Sequence, residues 1–212
     1  MWLLDDPADM FVRRELYLLY RIHTDKQQAS ALLSEATSIV NTSPQSLYYY
    51  ACMLIDEGKI PEAIDALEKA FQQNQGHNIV HKLADLKKKV GNYQEAIRLY
   101  KLILADNELH VLPSIADCYN FLKEHVICVW CCTRVIKLDP ANEAWWNNLV
   151  YSLMASDKIP CAIAVEQLRV TVLSEKALTR PASEFAQTLL AIMKDEFGEA
   201  FVKSICAPTP PF

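Results

Sequence analysis

Three cysteines in one helical stretch come nearest to a chemical site. Cys128, Cys131 and Cys132 recur at i, i+3 and i+4, which places them on one side of a helix. Cys118 lies on the preceding predicted helix and could face them, and four thiolates would suit zinc. Cysteine is also a small, commonly buried apolar residue, so the same spacing is typical of helix packing. We favour packing, and a zinc or redox protein remains an alternative.

A pair of histidines offers a second candidate for metal binding. His77 and His81 lie four residues apart on one predicted helix, a spacing that can hold a metal. No third ligand follows at a suggestive distance. The sequence also has no Gly-rich phosphate loop, no G-x-S-x-G elbow and no H-E-x-x-H motif. We therefore predict that the protein is not an enzyme and has no cofactor.

A lysine cluster follows at the end of the same helix. Lys82 precedes the run from Lys87 to Lys89, where positive charge complements the helix dipole. Such runs are usually a solvated face. The alternative is a site for an acidic patch on a partner.

Composition and charge exclude several classes of protein. The chain has 212 residues, 51% of them hydrophobic, and its net charge of −5 argues against broad nucleic-acid binding. No run of 18 apolar residues predicts a membrane-spanning helix. The start, Met1 to Asp6, lacks the basic and apolar regions of a signal peptide. The odd number of seven cysteines, without disulfide-framework spacing, favours a reducing cytoplasm.

The elements that would position these residues come from an internal repeat. The phrase Lys-Ile-Pro-x-Ala-Ile begins at Lys59 and again at Lys158, 99 residues later. A related stretch begins at Gly91, 33 residues after Gly58, so one period of 33 fits all three copies. Gly58 ends one predicted helix, and Pro61 suits the first turn of the next. A period of 33 to 34 residues indicates a repeat architecture built from helix pairs.

The repeat resembles the tetratricopeptide family over roughly residues 10–176. The Thr-Pro-Leu-His signals and Gly-rich turns of ankyrin repeats are absent. Small residues recur where the second helix of each pair begins, and Lys137 to Pro140 is similar to the ending of a family repeat. Lys123 and Asp157 depart from the Gly that the family usually has between its two helices. The small residues are Ala29, Ala63, Ala96, Cys128 and Ala162.

The resemblance implies an all-α fold, a right-handed superhelical solenoid of antiparallel helix pairs. Each pair covers the apolar face of the one before it, so the last pair needs a cap. Phe185, Leu189 and Met193 recur every fourth residue and predict a capping helix, which can break or kink at Gly198. The predicted parts are an extension over 1–9, repeats over 10–43, 44–76, 77–108, 109–142 and 143–176, a C-terminal capping helix over 177–206, and an extended, mobile Pro-rich tail over 207–212.

In this family the first helices of the pairs line a concave groove that holds a segment of a partner protein. Carrying the family register onto this chain gives a candidate set of partner-binding residues. Tyrosine and asparagine suit this task, although exposed helix residues need not bind anything. The set is Tyr48, Tyr49, Cys52, Asn78, His81, Lys82, Asp85, Ser114, Asp117, Phe121, Asn147, Asn148 and Tyr151.

Some relatives grip the C-terminal carboxylate of heat-shock chaperones with Lys, Asn and Arg residues on successive first helices. None of the three possible registers reproduces that pattern here. The sequence therefore argues against a chaperone-tail adaptor. The register that starts in the first repeat gives Arg14, Leu18, Tyr49, Asn78 and Lys82.

The sequence thus predicts a protein-binding adaptor or scaffold, cytoplasmic and without membrane insertion. The alternative within this class is a fixed subunit of a larger complex, bound through its convex face or its ends. Exposed apolar patches on those surfaces would favour that alternative. An RNA-binding helical repeat would need a basic groove, which the acidic pI of about 5.6 argues against.

Overall fold

The computed structural model describes residues 9–40, 43–105, 108–174 and 182–207. In these ranges the chain forms twelve helices and no strand. The predicted extension before Asp9, the predicted helix start at Pro181 and the tail from Pro208 lie outside the described residues. The helices are α1 (Met10–Ile22), α2 (Lys26–Ile39), α3 (Pro44–Asp56), α4 (Ile60–Gln73), α5 (His77–Lys89), α6 (Tyr93–Leu102), α7 (Glu108–Phe121), α8 (His125–Leu138), α9 (Glu143–Ala155), α10 (Ile159–Leu173), α11 (Ala182–Phe197) and α12 (Glu199–Cys206).

The chain divides into two compact units, Met1–Leu99 and Tyr100–Phe212, at a boundary inside α6. In the first unit, α1 packs with α2, and α3 packs with α4. Three-residue turns reverse the chain within each pair, so the two helices run antiparallel. The helix α3 also contacts both α1 and α2, and α5 packs on α4. Each new pair therefore covers the pair before it.

Five turns that end α1, α3, α5, α7 and α9 share one backbone geometry. In each, a residue with positive φ follows the helix, and the next N–H donates to a carbonyl five residues earlier. This is the Schellman arrangement, which pairs carbonyls that a helix end leaves unpartnered. The residue is glycine at two turns and another residue at three. The five are Thr24, Gly58, Gly91, Lys123 and Asp157, with φ of 60°, 75°, 81°, 62° and 59°.

Small residues lie buried near the start of the second helix of each pair. The five that the sequence analysis identified are all 3% exposed or less: Ala29, Ala63, Ala96, Cys128 and Ala162. A small side chain there lets two helix backbones approach closely, and large side chains fill the neighbouring space. Tyr17, Leu67 and Trp146 are fully buried examples of the large kind.

The second unit ends in two helices where the sequence analysis predicted one. Gly198 separates α11 from α12 and has φ +85°, a conformation that glycine adopts at little cost. The rings of Phe197 and Phe201 stack across the break at 4.6 Å between centroids. Both helices pack on α8, and α11 also packs on α10. They therefore lie along second helices of the pairs.

Polar contacts hold α12 on α8. The indole N–H of Trp130 donates to the hydroxyl of Ser204 at 3.0 Å. The guanidinium of Arg134 donates to the backbone carbonyls of Ile205 and Ala207. No helix within the described ranges is long and apolar enough to cross a membrane.

Candidate functional site

An aromatic cluster lies on α1 and α3 in the first unit. Asp9 caps α1 by accepting hydrogen bonds from the N–H groups of Phe11 (2.9 Å) and Val12 (3.2 Å), which places Phe11 in the first turn. The Phe11 ring meets the Tyr49 ring edge-on at 5.4 Å, and Tyr49 meets Tyr48 in the same way at 5.5 Å. Edge-on aromatic pairs attract one another. The three rings therefore form one partly exposed apolar surface, which we call the aromatic cluster.

Cys52 lies beneath the aromatic cluster. It lies one turn after Tyr48 on α3, shares a side-chain hydrogen bond with it, and is only 8% exposed. Burial raises the pKa of the Cys52 thiol, and the positive charges of Lys82 and Arg14 oppose that rise. The family register predicts Cys52 on the binding surface, but its side chain lies in the core.

Two cationic side chains lie nearby: Arg14 is close enough to act on Tyr48 and Cys52, and Lys82 is close enough to act on Cys52. Arg14, on α1, pairs with its neighbour Glu15 at 2.7 Å, but its buried Nε has no hydrogen-bond partner among the described residues. Lys82, on α5, is half-buried and forms no ion pair with any residue of the described ranges. The aromatic cluster is thus accompanied by positive charge from both neighbouring helices. This combination can hold an apolar group and an anionic group together.

The remaining predicted residues of the first unit lie on α5. Asn78 is exposed, and the Nδ1 atom of His81 lies 3.2 Å from a carboxylate oxygen of Asp85. The ring of His77 stacks on that of His81 at 6.1 Å. In the described part of the chain, no group of three or more His, Cys, Asp or Glu residues could hold a metal. The imidazole of His81 is instead engaged by its two helix neighbours.

The predicted residues of the second unit lie on α7 and α9. Ser114 and Asp117 are half-buried on α7, and Phe121 at its end is 65% exposed. On α9, Asn147 is exposed and Asn148 is half-buried.

Tyr151, one turn further along α9, is 58% exposed and packs edge-on against His125 of α8 at 6.4 Å. The second unit therefore presents exposed aromatic side chains on both of these first helices.

The cysteine cluster lies inside the second unit. Cys118, Cys131 and Cys132 are fully buried, and the Cys128 and Cys132 sulfurs are 4.0 Å apart. Ser152 of α9 donates to the Cys128 sulfur at 3.0 Å. Burial raises the pKa of Cys131 well above its ordinary value, and the contact with Cys128 does the same for Cys132. These two groups are therefore held as neutral thiols in the helix packing.

The lysine cluster takes part in helix packing too. The ammonium of Lys87, on α5, lies 2.6 Å from the Glu68 carboxylate on α4. This ion pair joins the two helices across their contact. At least Lys87 of this cluster therefore forms an ion pair within the chain.

An apolar groove runs between α9 and α10 in the second unit, and we call it the end groove. Its cavity has a volume of about 240 Å³. Met154, Ile159 and Ile163 on its walls are each more than half exposed. The lining residues are Val150, Met154, Ile159, Ala162, Ile163, Glu166 and Gln167.

Sequence reasoning missed both Phe11 and the end groove. Phe11 precedes the first residues that showed the repeat pattern, and only the fold brings its ring to Tyr49. A sequence signal for the groove was present. Ile159 and Ile163 share one side of the helix, and Val170, seven residues after Ile163, extends that side. Periodicity does not show whether another element of the fold covers this apolar side.

Comparison with known proteins shows the fold. No family model matches the sequence, and no curated protein matches it. Solved structures of MamA, a tetratricopeptide-like helical repeat protein, do match the structure. MamA from Desulfovibrio magneticus RS-1 (residue 41 to its end) has a TM-score of 0.65 at 15% identity, over 81% of this chain and 97% of that one. A MamA structure labelled AMB-1 has a TM-score of 0.65 at 13% identity, over 83% of this chain and 100% of that one.

These similarities confirm the predicted all-α, tetratricopeptide-like fold. They extend to most of the chain, since a further MamA crystal structure matches 90% of it with a TM-score of 0.62 at 12% identity. At such low identity the likeness concerns the fold alone.

Proposed function

We propose that the protein is a non-enzymatic adaptor or scaffold that binds a segment of a partner protein on the first helices of its helix pairs. One observation carries the proposal. The aromatic cluster of Phe11, Tyr48 and Tyr49 lies partly exposed, with the positive charge of Arg14 acting on Tyr48 and that of Lys82 acting on Cys52, one turn after Tyr48. Exposed aromatic side chains with a neighbouring cation are common where proteins bind tightly.

The chemistry of this surface favours a short peptide or helix segment. The rings of Tyr48 and Tyr49 offer apolar area, and their hydroxyls offer hydrogen bonds at the edge. Lys82 and the exposed amide of Asn78 can pair with carboxylates or with a peptide backbone. All seven cysteines are free thiols, which supports a location in the reducing cytoplasm.

The test is affinity purification followed by mass spectrometry. The wild-type protein is compared with the double variant Tyr48→Ala and Tyr49→Ala. The control variant, Leu19→Ala with Ile22→Ala, removes two exposed apolar side chains from another part of α1. We expect the tyrosine variant to lose a partner that the control retains, while circular dichroism shows both to be folded.

If all partners survive the tyrosine substitutions, the aromatic cluster is not the binding site. A charge test follows the same design. Lys82→Glu reverses one of the two cations, and we expect it to weaken the same partner, because an anionic group would then meet a negative charge.

A second candidate function is a fixed subunit of a larger complex. The exposed apolar side chains of the end groove support it, because obligate interfaces are more apolar than ordinary protein surface. The corresponding test is purification of Ile163→Glu from cells. Selective loss of a stable partner would support this function, and full retention of all partners would refute it.

A further inference from the structure

The aromatic cluster lies at the end of α1 where the preceding residues enter the helix. Phe11, in the first turn of α1, meets Tyr49 in the second turn of α3. Arg21, in the last turn of α1, donates to the backbone carbonyl of Asp56 at the end of α3. The two helices therefore run parallel. Because Asp9 accepts the N–H of Phe11 at 2.9 Å, the chain before Asp9 begins directly beside the cluster.

Positive charge exceeds negative charge at this surface. Burial raises the pKa of the Cys52 thiol, and the charges of Lys82 and Arg14 oppose that rise. The carboxylate of Asp56 acts on the same thiol more weakly than either cation. Lys82 forms no ion pair within the described part of the chain. An acidic group brought to the cluster would therefore be attracted, although the chain as a whole has a net charge of −5.

The residues before α1 have the complementary chemistry. Trp2, Leu3 and Leu4 are large and apolar. Asp5 and Asp6 follow them with two negative charges. Large apolar side chains suit aromatic rings, and carboxylates suit lysine and arginine. This short stretch thus carries both kinds of group that the cluster and its cations can hold.

The spacing along the chain allows this contact. Asp6 lies three residues before Asp9, and Leu3 lies six residues before it. An extended chain spans at most about 3.5 Å per residue, so Asp6 can lie about 10 Å and Leu3 about 20 Å from Asp9. The centroids of the three rings follow one another at 5.4 and 5.5 Å, beginning with Phe11. Residues from Leu3 to Asp6 can therefore reach the whole cluster.

We infer that residues 1–8 bind to the aromatic cluster of their own chain, with Leu3 and Leu4 against its rings and Asp5 and Asp6 at its cations. The segment then competes with the partner segment for this surface. A partner that displaces it must present the same chemistry, which is two or more large apolar residues followed by acidic residues. This inference rests on the proposed function, because it names the class of that partner and a control over its binding.

The probe is a peptide that copies residues 1–8 and carries fluorescein at its C-terminus. Fluorescence anisotropy measures its binding to the full-length wild type and to a full-length variant that we call the silenced chain. The silenced chain carries Trp2→Ser, Leu3→Ser, Leu4→Ser, Asp5→Ser and Asp6→Ser.

We expect the peptide to bind the silenced chain with a Kd of about 100 μM and the wild type about tenfold more weakly. The reason is that a short tether gives the chain's own segment an effective concentration on the order of 1 mM at the cluster. Absence of saturable binding to the silenced chain, or equal binding to both proteins, would overturn the inference.

Further substitutions in the silenced chain locate the site. Tyr48→Ala with Tyr49→Ala should weaken peptide binding at least fivefold. Leu19→Ala with Ile22→Ala, which removes exposed apolar side chains elsewhere on α1, should leave it unchanged. Circular dichroism verifies that both variants fold. The opposite pattern would place the segment away from the cluster and overturn the inference.

A charge exchange tests the acidic residues separately from the apolar ones. A peptide with Asp5→Lys and Asp6→Lys should bind the silenced chain more weakly than the original peptide does. It should regain affinity when the silenced chain also carries Lys82→Glu, because the two charges at the contact are then both reversed. Absence of this recovery would overturn the inference that the acidic residues meet the cations.

Size-exclusion chromatography with light scattering tests the competing occupant. If the wild type is a dimer and the silenced chain a monomer, the segment binds a second copy of the protein, and binding within one chain is wrong.

Failure of the inference is distinct from failure of the proposed function. If the peptide does not bind but the variant of Tyr48 and Tyr49 loses a partner from cells, partner binding stands and only the inference fails. If the peptide binds but that variant retains all partners, the cluster serves the chain's own segment and the proposed function fails.

Discussion

The guanidinium of Arg134 on α8 forms two hydrogen bonds to the carboxylate of Glu108 on α7, at 2.5 and 3.0 Å. Its remaining nitrogen donates to the carbonyls of Ile205 and Ala207. One buried side chain thus connects the first helix of a pair, the second helix, and the end of α12. A bidentate, charge-assisted arrangement of this kind is among the stronger polar contacts in proteins.

Removing Arg134 should therefore destabilise the second unit strongly. Arg134→Ala leaves the Glu108 carboxylate and two carbonyls without their partner, and we expect a loss of about 3 kcal/mol in the free energy of unfolding. Thermal unfolding should show the loss, and hydrogen exchange should rise first over residues 199–207. Arg98→Ala breaks an exposed ion pair with Glu95 and should cost under about 1 kcal/mol. Equal losses for both variants would contradict this account.

Tyr17 makes the stability of the first unit depend on pH in the alkaline range. Its hydroxyl donates to Glu57 at 2.6 Å, and burial, followed by this hydrogen bond, raises the Tyr17 pKa to about 12. The unfolded chain loses this proton near pH 10, whereas the folded chain keeps it until about pH 12. The stabilisation is therefore complete below pH 10 and is lost between pH 10 and 12.

Urea unfolding of the wild type and Tyr17→Phe at several pH values measures this effect. We expect the difference in stability between the two proteins to shrink as the pH rises from 10 to 12. Other titrating groups are common to both proteins and cancel in the comparison. A difference that stays constant over this range would show that Tyr17 titrates normally.

The turns offer a test of backbone strain. At Lys123 a side chain occupies a left-handed position with φ +62°, so Lys123→Gly should stabilise the protein by up to about 1 kcal/mol. Gly58→Ala should destabilise it by about 1 kcal/mol, because φ is +75° there although an added methyl group meets no atom within 4 Å. Gly76→Ala is the control, since its φ is −57°. Chemical denaturation measures all three, and a Gly58→Ala variant as stable as Gly76→Ala would argue against strain.

Thiol reactivity distinguishes the packed cysteines from a metal or redox site. Cys206 is the exposed thiol, and the other six are buried. Burial raises the pKa of Cys161 to about 11, so its reactive thiolate is scarce at neutral pH. We expect one fast-reacting thiol per folded chain with a disulfide reagent, which Cys206→Ala should abolish. Fast reaction of further thiols, or stoichiometric zinc in the purified protein, would support the alternative of a cysteine site.

Much of the fold follows from local sequence patterns. The small residues Ala63 and Ala162 predict where helices cross, because a large side chain cannot fit between two close backbones. The turns were harder to predict at Lys123 and Asp157. Lysine gives no sign of a left-handed conformation, and aspartate tolerates one without requiring it, so the conformation is evident only from the hydrogen bonds of the turn.

The placement of the last helices could not be predicted from periodicity. The sequence of α12 shows which side is apolar, but the surface on which this helix lies depends on the long-range contacts that Arg134 and Trp130 make to it. For the same reason the partly exposed ring of Phe11 was not predicted to extend the Tyr48–Tyr49 surface. The groove residues proposed from the family register remain predictions for the binding experiments.

The contact between Arg134 and α12 also sets an order of events during synthesis. Arg134 leaves the ribosome 71 residues before Ile205, its carbonyl partner. At 5–20 residues per second, this gap lasts roughly 4 to 14 s. During that time the side of α8 that carries Trp130 and Arg134 has no α12 to cover it. The nascent second unit therefore passes through a stage in which the apolar surface of Trp130 and the charge of Arg134, both buried in the complete fold, are exposed to solvent. Chaperones or aggregation would act at this stage.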